Sequence, residues 1–561
     1  MKKSILNLLF ILILSGCAKK GFPPGGLEDK FPPEIVETKP LVGALNVDPK
    51  SKIEVKFNEW VKPESVLDAV YISPFPGDKV KIKVSGKKLK IKLPDPMLPN
   101  RTYVITLGTA IRDYRNNALK ETFTLAFSTG PVLDQGEIEG QVFSDMPTRG
   151  LSIWAYQMEK GQDPNPTENS PDYASQCNEA GAFRMTHLSP GRYRLLAVRD
   201  RMADRLYNPV EDEFGVSFKD VLLDTAAHQT ANEVFFRITV GDTIGPALDR
   251  AGAVTPHQVM LQFNEPVRVH PDSTRWASIV AVEDRTDTIR IRGWYTDPLG
   301  DRRMVLHTDS MPLSREYEAA VHHIQDQKGF PVDPEYRMYP FMSPEMPDTA
   351  QPLIMQMAPA SGSEDMPLDQ EVRIAFNEMM DTSLAPSLTL TDTSNAPVPG
   401  LVEWDTPSSI RFVPFERWKS EQIVCAHLLS ESFSDLSGNT LPDSLWSFTI
   451  LNQDTLASIS GMISDPETTA TGPIYVTTTQ LGEPPTQKTV RLEEPGAYQV
   501  RELLPGLYRI EAYRDEDRNG KYTHGSPWPY RAAERFRVLP DTIKLRARWP
   551  NEGNDFGLPV R

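Results

Sequence analysis

Cysteine is almost missing from this sequence, with three in 561 residues. Cys17 closes an N-terminal apolar run, and Cys177 and Cys425 fall in different predicted domains. A fold stapled by disulfides is therefore excluded, and the latter two are expected as unpaired thiols. Long apolar runs are missing too. After Cys17 nothing approaches the ~18 consecutive apolar residues of a membrane-spanning helix. There is no surplus of basic residues: 60 Lys and Arg stand against 76 Asp and Glu, for a net charge of −16. That excludes the basic footprint of a nucleic-acid binder. The nine histidines show no metal-ligand spacing. His322 and His323 are adjacent in a predicted strand, where their rings would face opposite sides and could not share an ion. The sequence has no H-E-x-x-H, no G-x-S-x-G, no Walker loop and no G-x-G-x-x-G. No catalysis and no resident cofactor are expected.

What is present is turn chemistry between strands. Fifty prolines and 34 glycines accompany an apolar fraction of 39%, which describes a turn-rich β protein rather than a disordered one. Alternating apolar runs end three times on the same tripeptide: Phe57-Asn58-Glu59, Phe263-Asn264-Glu265 and Phe376-Asn377-Glu378. In each run the period of two marks a half-buried strand. Each is followed by an Asp-bearing turn, at Asp113, Asp326 and Asp435. A second repeat pairs residues 181–200 with 496–515 without a gap, half of the positions being identical. Naming the first repeat type A and the second type B, the order is A-B-A-A-B. The boundaries read from the sequence are 33–130, 136–240, 242–343, 352–451 and 458–558. All are expected to be β-sandwiches in an all-β chain.

Residues 1–17 read as a secretion signal. Lys2 and Lys3 precede the apolar stretch Ile5–Leu14, which ends in Leu14-Ser15-Gly16-Cys17. That ending resembles the bacterial lipobox, and the resemblance implies acylation of Cys17, with palmitate-type chains holding the protein to a membrane. Two or more chains anchor stably where one does not. Residues 18–32 form a Gly/Pro tether. Ala18, not Asp, follows the cysteine, and the opening is similar to that of Bacteroidetes-type lipoproteins. The resemblance implies the outer membrane, on its periplasmic or its cell-surface side.

The type A pattern resembles the bacterial Ig-like domain first described in the surface-layer protein SbsA. The first copy carries it in Pro33, Asn46-Val47, Phe57, Glu59, Leu98, Tyr103, Asp113, Asn117, Phe127 and Thr129, with Asn116 where the family usually has Gly. The second copy keeps Phe263, Glu265, Leu313, Tyr317 and Asp326. The third keeps Phe376, Glu378 and Asp435-Leu436-Ser437-Gly438-Asn439, but its tyrosine is replaced, with Trp418 and Ile423 nearby. The type B pattern G-x-[FY]…L-x-P-G-x-Y resembles the carboxypeptidase-regulatory-like, or transthyretin-like, β-sandwich, a structural module that implies no peptidase activity.

Two places could bind something. Asp515, Asp517 and Asn519 alternate ahead of Gly520, as in the first half of a calcium loop. The twelfth position is Ser526, with no bidentate Glu, so a solvated hairpin turning at Asn519-Gly520 competes with calcium. Trp528 and Tyr530 could stack on a sugar or a peptide, or serve as loop packing. Glu59, Glu265 and Glu378 read as structural, ending strands or accepting turn N–H groups. The three turn aspartates are expected to bond their own backbones. The functional expectation is a lipid-anchored cell-envelope protein with a structural, adhesive or partner-binding role toward a protein or glycan. The alternative is an accessory carbohydrate-binding lipoprotein of a glycan-uptake system.

Overall fold

The computed structural model describes residues 29–67, 69–76, 80–94, 96–148, 151–158, 163–224, 230–242, 244–270, 275–482 and 485–561. Cys17 and the lipobox lie outside the described residues. Among those described, no helix is long and apolar enough to cross a membrane. The chain is a series of β-sandwiches.

The first type A module begins with β1 (Ile35–Lys39) and β2 (Ile53–Phe57), followed by a short helix α1 (Pro63–Leu67). It continues with β3 (Val70–Ser73), β4 (Lys81–Ser85), β5 (Lys88–Lys92), β6 (Thr102–Leu107) and β7 (Phe123–Ser128). One sheet runs β1-β2-β5-β4 and the other β3-β6-β7. The alternation read in the sequence places Ile53, Val55 and Phe57 of β2 inside, against Ile105, Leu107, Leu125 and Phe127 of the opposing sheet. Each such side chain contributes about 1.5–3 kcal/mol on burial. Lys81, Lys83, Lys88, Lys90 and Lys92 occupy the outward positions of β4 and β5.

The third type A module repeats this plan. Its strands order as 354–358, 372–376, 409–414, 400–406 in one sheet and 388–391, 423–428, 444–449 in the other. The divergent second copy keeps both sheets, 248–255/258–263/303–308/291–296 and 288–289/277–281/316–321/338–342. Tyr103 pairs across the sheet with Phe127 and Tyr317 with Phe341, ring centroids 5.9 Å apart in both cases. In the third copy Val424 holds that register opposite Phe448, and Trp418 supplies the missing ring from the preceding loop, 5.9 Å from Phe448.

In the last type B segment, strands 486–492, 474–480, 506–514 and 536–538 form one sheet and 496–503, 457–464 and 556–557 the other. The L-x-P-G-x-Y pattern has a physical meaning: the Tyr508 hydroxyl donates to the Leu504 carbonyl four residues back, and Tyr193 does the same to Ser189.

Contacts divide the chain into two compact units. One is the part up to Pro164 with Ser170–Ala197 and Val221–Val234; the other is Asn165–Asn169, Val198–Asp220 and Phe235–Arg561. In the former, the Tyr71 hydroxyl bonds Ser152 Oγ at 2.8 Å and accepts from Gln176 Nε2. In the latter, Gln258 Oε1 accepts from the Met379 amide at 2.8 Å, and Arg417 pairs with Glu502. Cys425 is a free thiol, and buried Cys177 donates from Sγ to the Thr148 carbonyl at 3.1 Å.

One local expectation changes. His322 and His323 follow the strand Glu316–Val321 rather than lying in it, and His323 has φ 54°; the chain turns there, so strand alternation does not orient the rings. Ahead of Cys177, Tyr173–Gln176 pairs with Ser152–Ala155.

Candidate metal centres

The repeated Phe-Asn-Glu works through its asparagine first. Asn58 donates its amide N–H to the Glu34 carbonyl and accepts the Glu34 N–H on Oδ1, both at 2.8 Å. Asn264 does the same with Ala247, and Asn377 with Leu353. A side chain here imitates one more rung of a strand ladder. It fixes the segment that enters each module beside the end of the strand, and the glutamate comes next.

The turn aspartate arrives from the other side. Asp113 Oδ1 accepts the N–H groups of Arg115 and Asn117, and Asp435 Oδ1 those of Ser437 and Asn439. Asp326 Oδ1 accepts three, from Lys328, Gly329 and Phe330. The turn aspartates thus bond their own backbones, as expected. The glutamates stand just past the strand ends at Phe57, Phe263 and Phe376, one of the two roles expected of them, and the turn N–H groups go to the aspartates instead. Asn377 Nδ2 donates to Glu378 Oε1.

A third carboxylate completes each group. Asp29, Glu59 and Asp113 gather in the first type A module, Asp242, Glu265 and Asp326 in the second, and Asp348, Glu378 and Asp435 in the third, with one oxygen of each within 4.8 Å of the others. Asn117 Nδ2 bridges Asp113 Oδ2 and the Asp29 carbonyl, and Asn439 Nδ2 bridges Asp435 Oδ2 and the Asp348 carbonyl. In the second module Phe330 replaces that asparagine, and Lys328 Nζ stands 3.9 Å from Asp242 Oδ2. Sequence reading missed the entering aspartates, two of which lie before the module boundaries drawn at 33 and 352. A signal was there: each is followed four residues later by proline, in Asp29…Pro33, Asp242…Pro246 and Asp348…Pro352.

Crowding shows in the acidities. Burial, followed by the charges of Asp348 and Asp435, pushes Glu378 up to about 7. Glu59 and Glu265 are raised by burial and by the neighbouring aspartates. Hard oxygen donors with no histidine or cysteine among them suit calcium or magnesium rather than a transition metal.

A fourth group joins Asp515 and Asp517 with Glu534, which sequence reading also missed. Asp515 accepts N–H groups from Asn519 and Gly520 on its two oxygens, and Glu534 accepts those of Glu516 and Thr523. Asn519 turns its Nδ2 toward Asp517 Oδ2 and Thr523 Oγ1. Five carboxylate oxygens of this loop therefore hold backbone, Asp517 Oδ1 among them, and Asp517 Oδ2 holds the side chains of Asn519 and Thr523. Trp528 is 41% exposed on the following loop, and Tyr530 is half-buried.

His524, near that loop, stacks edge-on against Tyr522 and reaches the Arg237 carbonyl through Nδ1. Burial above all, aided by the Arg237 charge, depresses it to about 4. Its unfolded form takes up a proton first as pH falls, so stability present above about pH 6.5 is lost toward pH 4. At about pH 5 this amounts to roughly 2 kcal/mol. Denaturant unfolding of His524→Gln beside the wild type should show a shallower acid limb in the variant; parallel limbs would refute it.

Residues 29–129 and 348–450 match the family of the bacterial Ig-like domain. These spans begin on the entering aspartates Asp29 and Asp348 and end just past the last strand of their modules. No curated protein matches the chain. Among solved structures, the N-terminal part of the bacterial S-layer protein SbsC is 11% identical over 36% of this chain and 44% of that one, with TM-score 0.18. This chain thus spans less than half of it. Surface layer protein SbsC domains 1-6 is 10% identical over 92% and 68%, with TM-score 0.18. SGBP-B of a Bacteroides ovatus mixed-linkage glucan utilization locus, solved with a mixed-linkage heptasaccharide, is 11% identical over 64% and 87%, with TM-score 0.19. Scores this low establish no common overall arrangement.

Proposed function

We propose that this chain is a lipid-anchored protein of a bacterial cell envelope, exported and acylated at Cys17, with a structural, adhesive or partner-binding role and no catalysis. The observation that supports it most is modularity. Separate hydrophobic cores serve the first, second and third type A modules and the last type B segment, each closed within its own sandwich. Such a chain offers surface on several self-contained modules, and in this reading a tether and a lipid site precede them.

The test is protease accessibility on intact cells, wild type beside Cys17→Ala. Wild type cleaved on intact cells, with the variant released from the membrane fraction, is the expected result for a surface-displayed lipoprotein. Protection until the outer membrane is opened turns the role inward, to a scaffold in the periplasm. A variant that fractionates like the wild type overturns the lipid anchor. The second reading, glycan capture for an uptake system, rests on exposed Trp528. It requires retention on an immobilised glycan that Trp528→Ala abolishes.

A further inference from the structure

We propose that the carboxylate triads of the three type A modules are sites of one kind for a divalent cation of the calcium class, which pins the segment entering each module to its sandwich. The proposal goes beyond the envelope reading and does not depend on it.

Proximity of acids is the lesser part of the case. In the second module Asp326 is only 1% exposed, and its Oδ1 is fully used by the turn. Its Oδ2 is buried with no hydrogen-bond partner, in the group formed with Asp242 and Glu265. In the third module Asp348 Oδ2 is likewise buried and unpartnered, beside Glu378, which is 3% exposed. A buried carboxylate oxygen without a donor costs on the order of 1–3 kcal/mol, more when charged. Such an oxygen in two of the three triads, on the turn aspartate of one and on the entering aspartate of the other, calls for a positive partner. With the turn oxygen taken, three carboxylates offer up to five oxygens of the kind calcium takes, and water is free to complete the shell.

The scaffold holds the ligands without the ion. Phe-Asn-Glu fixes the entering segment, and in the first and third modules Asn117 and Asn439 hold the backbone of the entering aspartate against the turn. The ion would then bridge three segments distant in sequence: the approach, the end of the second strand and the turn. Lys328, 3.9 Å from Asp242, makes the second site the weakest of the three.

The full chain is stripped with a chelator, dialysed into sodium chloride, and titrated with calcium chloride by calorimetry and equilibrium dialysis. Glu59→Gln, Glu265→Gln and Glu378→Gln are measured alongside; none of these glutamates takes a turn N–H, so the turns stay intact. Each of the three variants is expected to bind one calcium ion fewer per chain than the wild type. Calcium should also raise the wild-type melting temperature, and less so that of Glu378→Gln. Asp517→Asn reports separately on the type B loop and should leave these three losses unchanged. Equal stoichiometry in the wild type and all three glutamine variants, or no calcium binding by the wild type at millimolar concentration, overturns the proposal.

Discussion

Arg535→Ala is expected to destabilise the C-terminal type B module by about 3–5 kcal/mol, the loss typical when one partner leaves a buried ion pair. The Arg535 side chain is completely buried, and so is that of Asp465. Two nitrogens of the guanidinium meet the two oxygens of that carboxylate at 2.7 and 2.8 Å, and Nε reaches Glu516 at 3.2 Å. Arg514 lies on Asp465 as well, at 3.1 Å, and Arg561 pairs with Glu516. Burial pulls Asp465 upward, yet the hydrogen bond and charge of Arg535 hold it below its ordinary value. Without Arg535 the carboxylate keeps Arg514 and the Glu467 N–H and stays out of water. Arg535→Lys should recover little, because a lysine cannot make the two-pronged contact. Denaturant unfolding followed by the fluorescence of the module measures the loss, and a change below about 1 kcal/mol would place the pair among interactions of surface strength.

Trp418→Ala should cost the third type A module about 3–5 kcal/mol, as for other large aromatic truncations in cores. Trp418 is 4% exposed, packs on Phe412 and Phe448, and donates from Nε1 to the Gln370 carbonyl. The equivalent space in the other two copies is filled by Tyr103 and Tyr317 from the strand itself. Val424 occupies the tyrosine register here, so the double variant Trp418→Ala, Val424→Tyr should regain part of the loss. Calorimetric melting of the chain with each variant decides it. A double variant as unstable as the sum of its parts would mean that the two aromatic positions do not fill one space.

The fold was legible because strand alternation is a local signal. Ile53, Val55 and Phe57 announce their own burial, and a repeat occurring three times confirms the reading internally. The turn aspartates were legible for the same reason, since an Asp bonding N–H groups two and four residues on is a local event. The triads were not. Asp29, Glu59 and Asp113 are separated by tens of residues, and only the folded sheet order brings the approach, the end of β2 and the turn to one pole. Glu534 was hidden in the same way, being supplied to the 515–520 loop from beyond an intervening segment. The substitution of Trp418 for a tyrosine was half legible: the missing tyrosine could be seen, but not the loop path that lets a neighbour fill the space.

The lysines on β4 and β5 bear on a hazard peculiar to chains of homologous sandwiches. β4 lies at the end of its sheet, with β5 as its one partner there. A free strand edge invites another strand, and the nearest candidates are its own relatives further down the same chain, still unfolded as they emerge from synthesis or export. Lys81 and Lys83 stand on that edge, with Lys88, Lys90 and Lys92 beside them. A strand added to this edge would crowd these ammonium groups and strip water from them, whatever its own charge. The row of lysines thus discourages strand addition at this edge and helps keep the first copy's pairing to itself in a chain that uses one strand pattern three times.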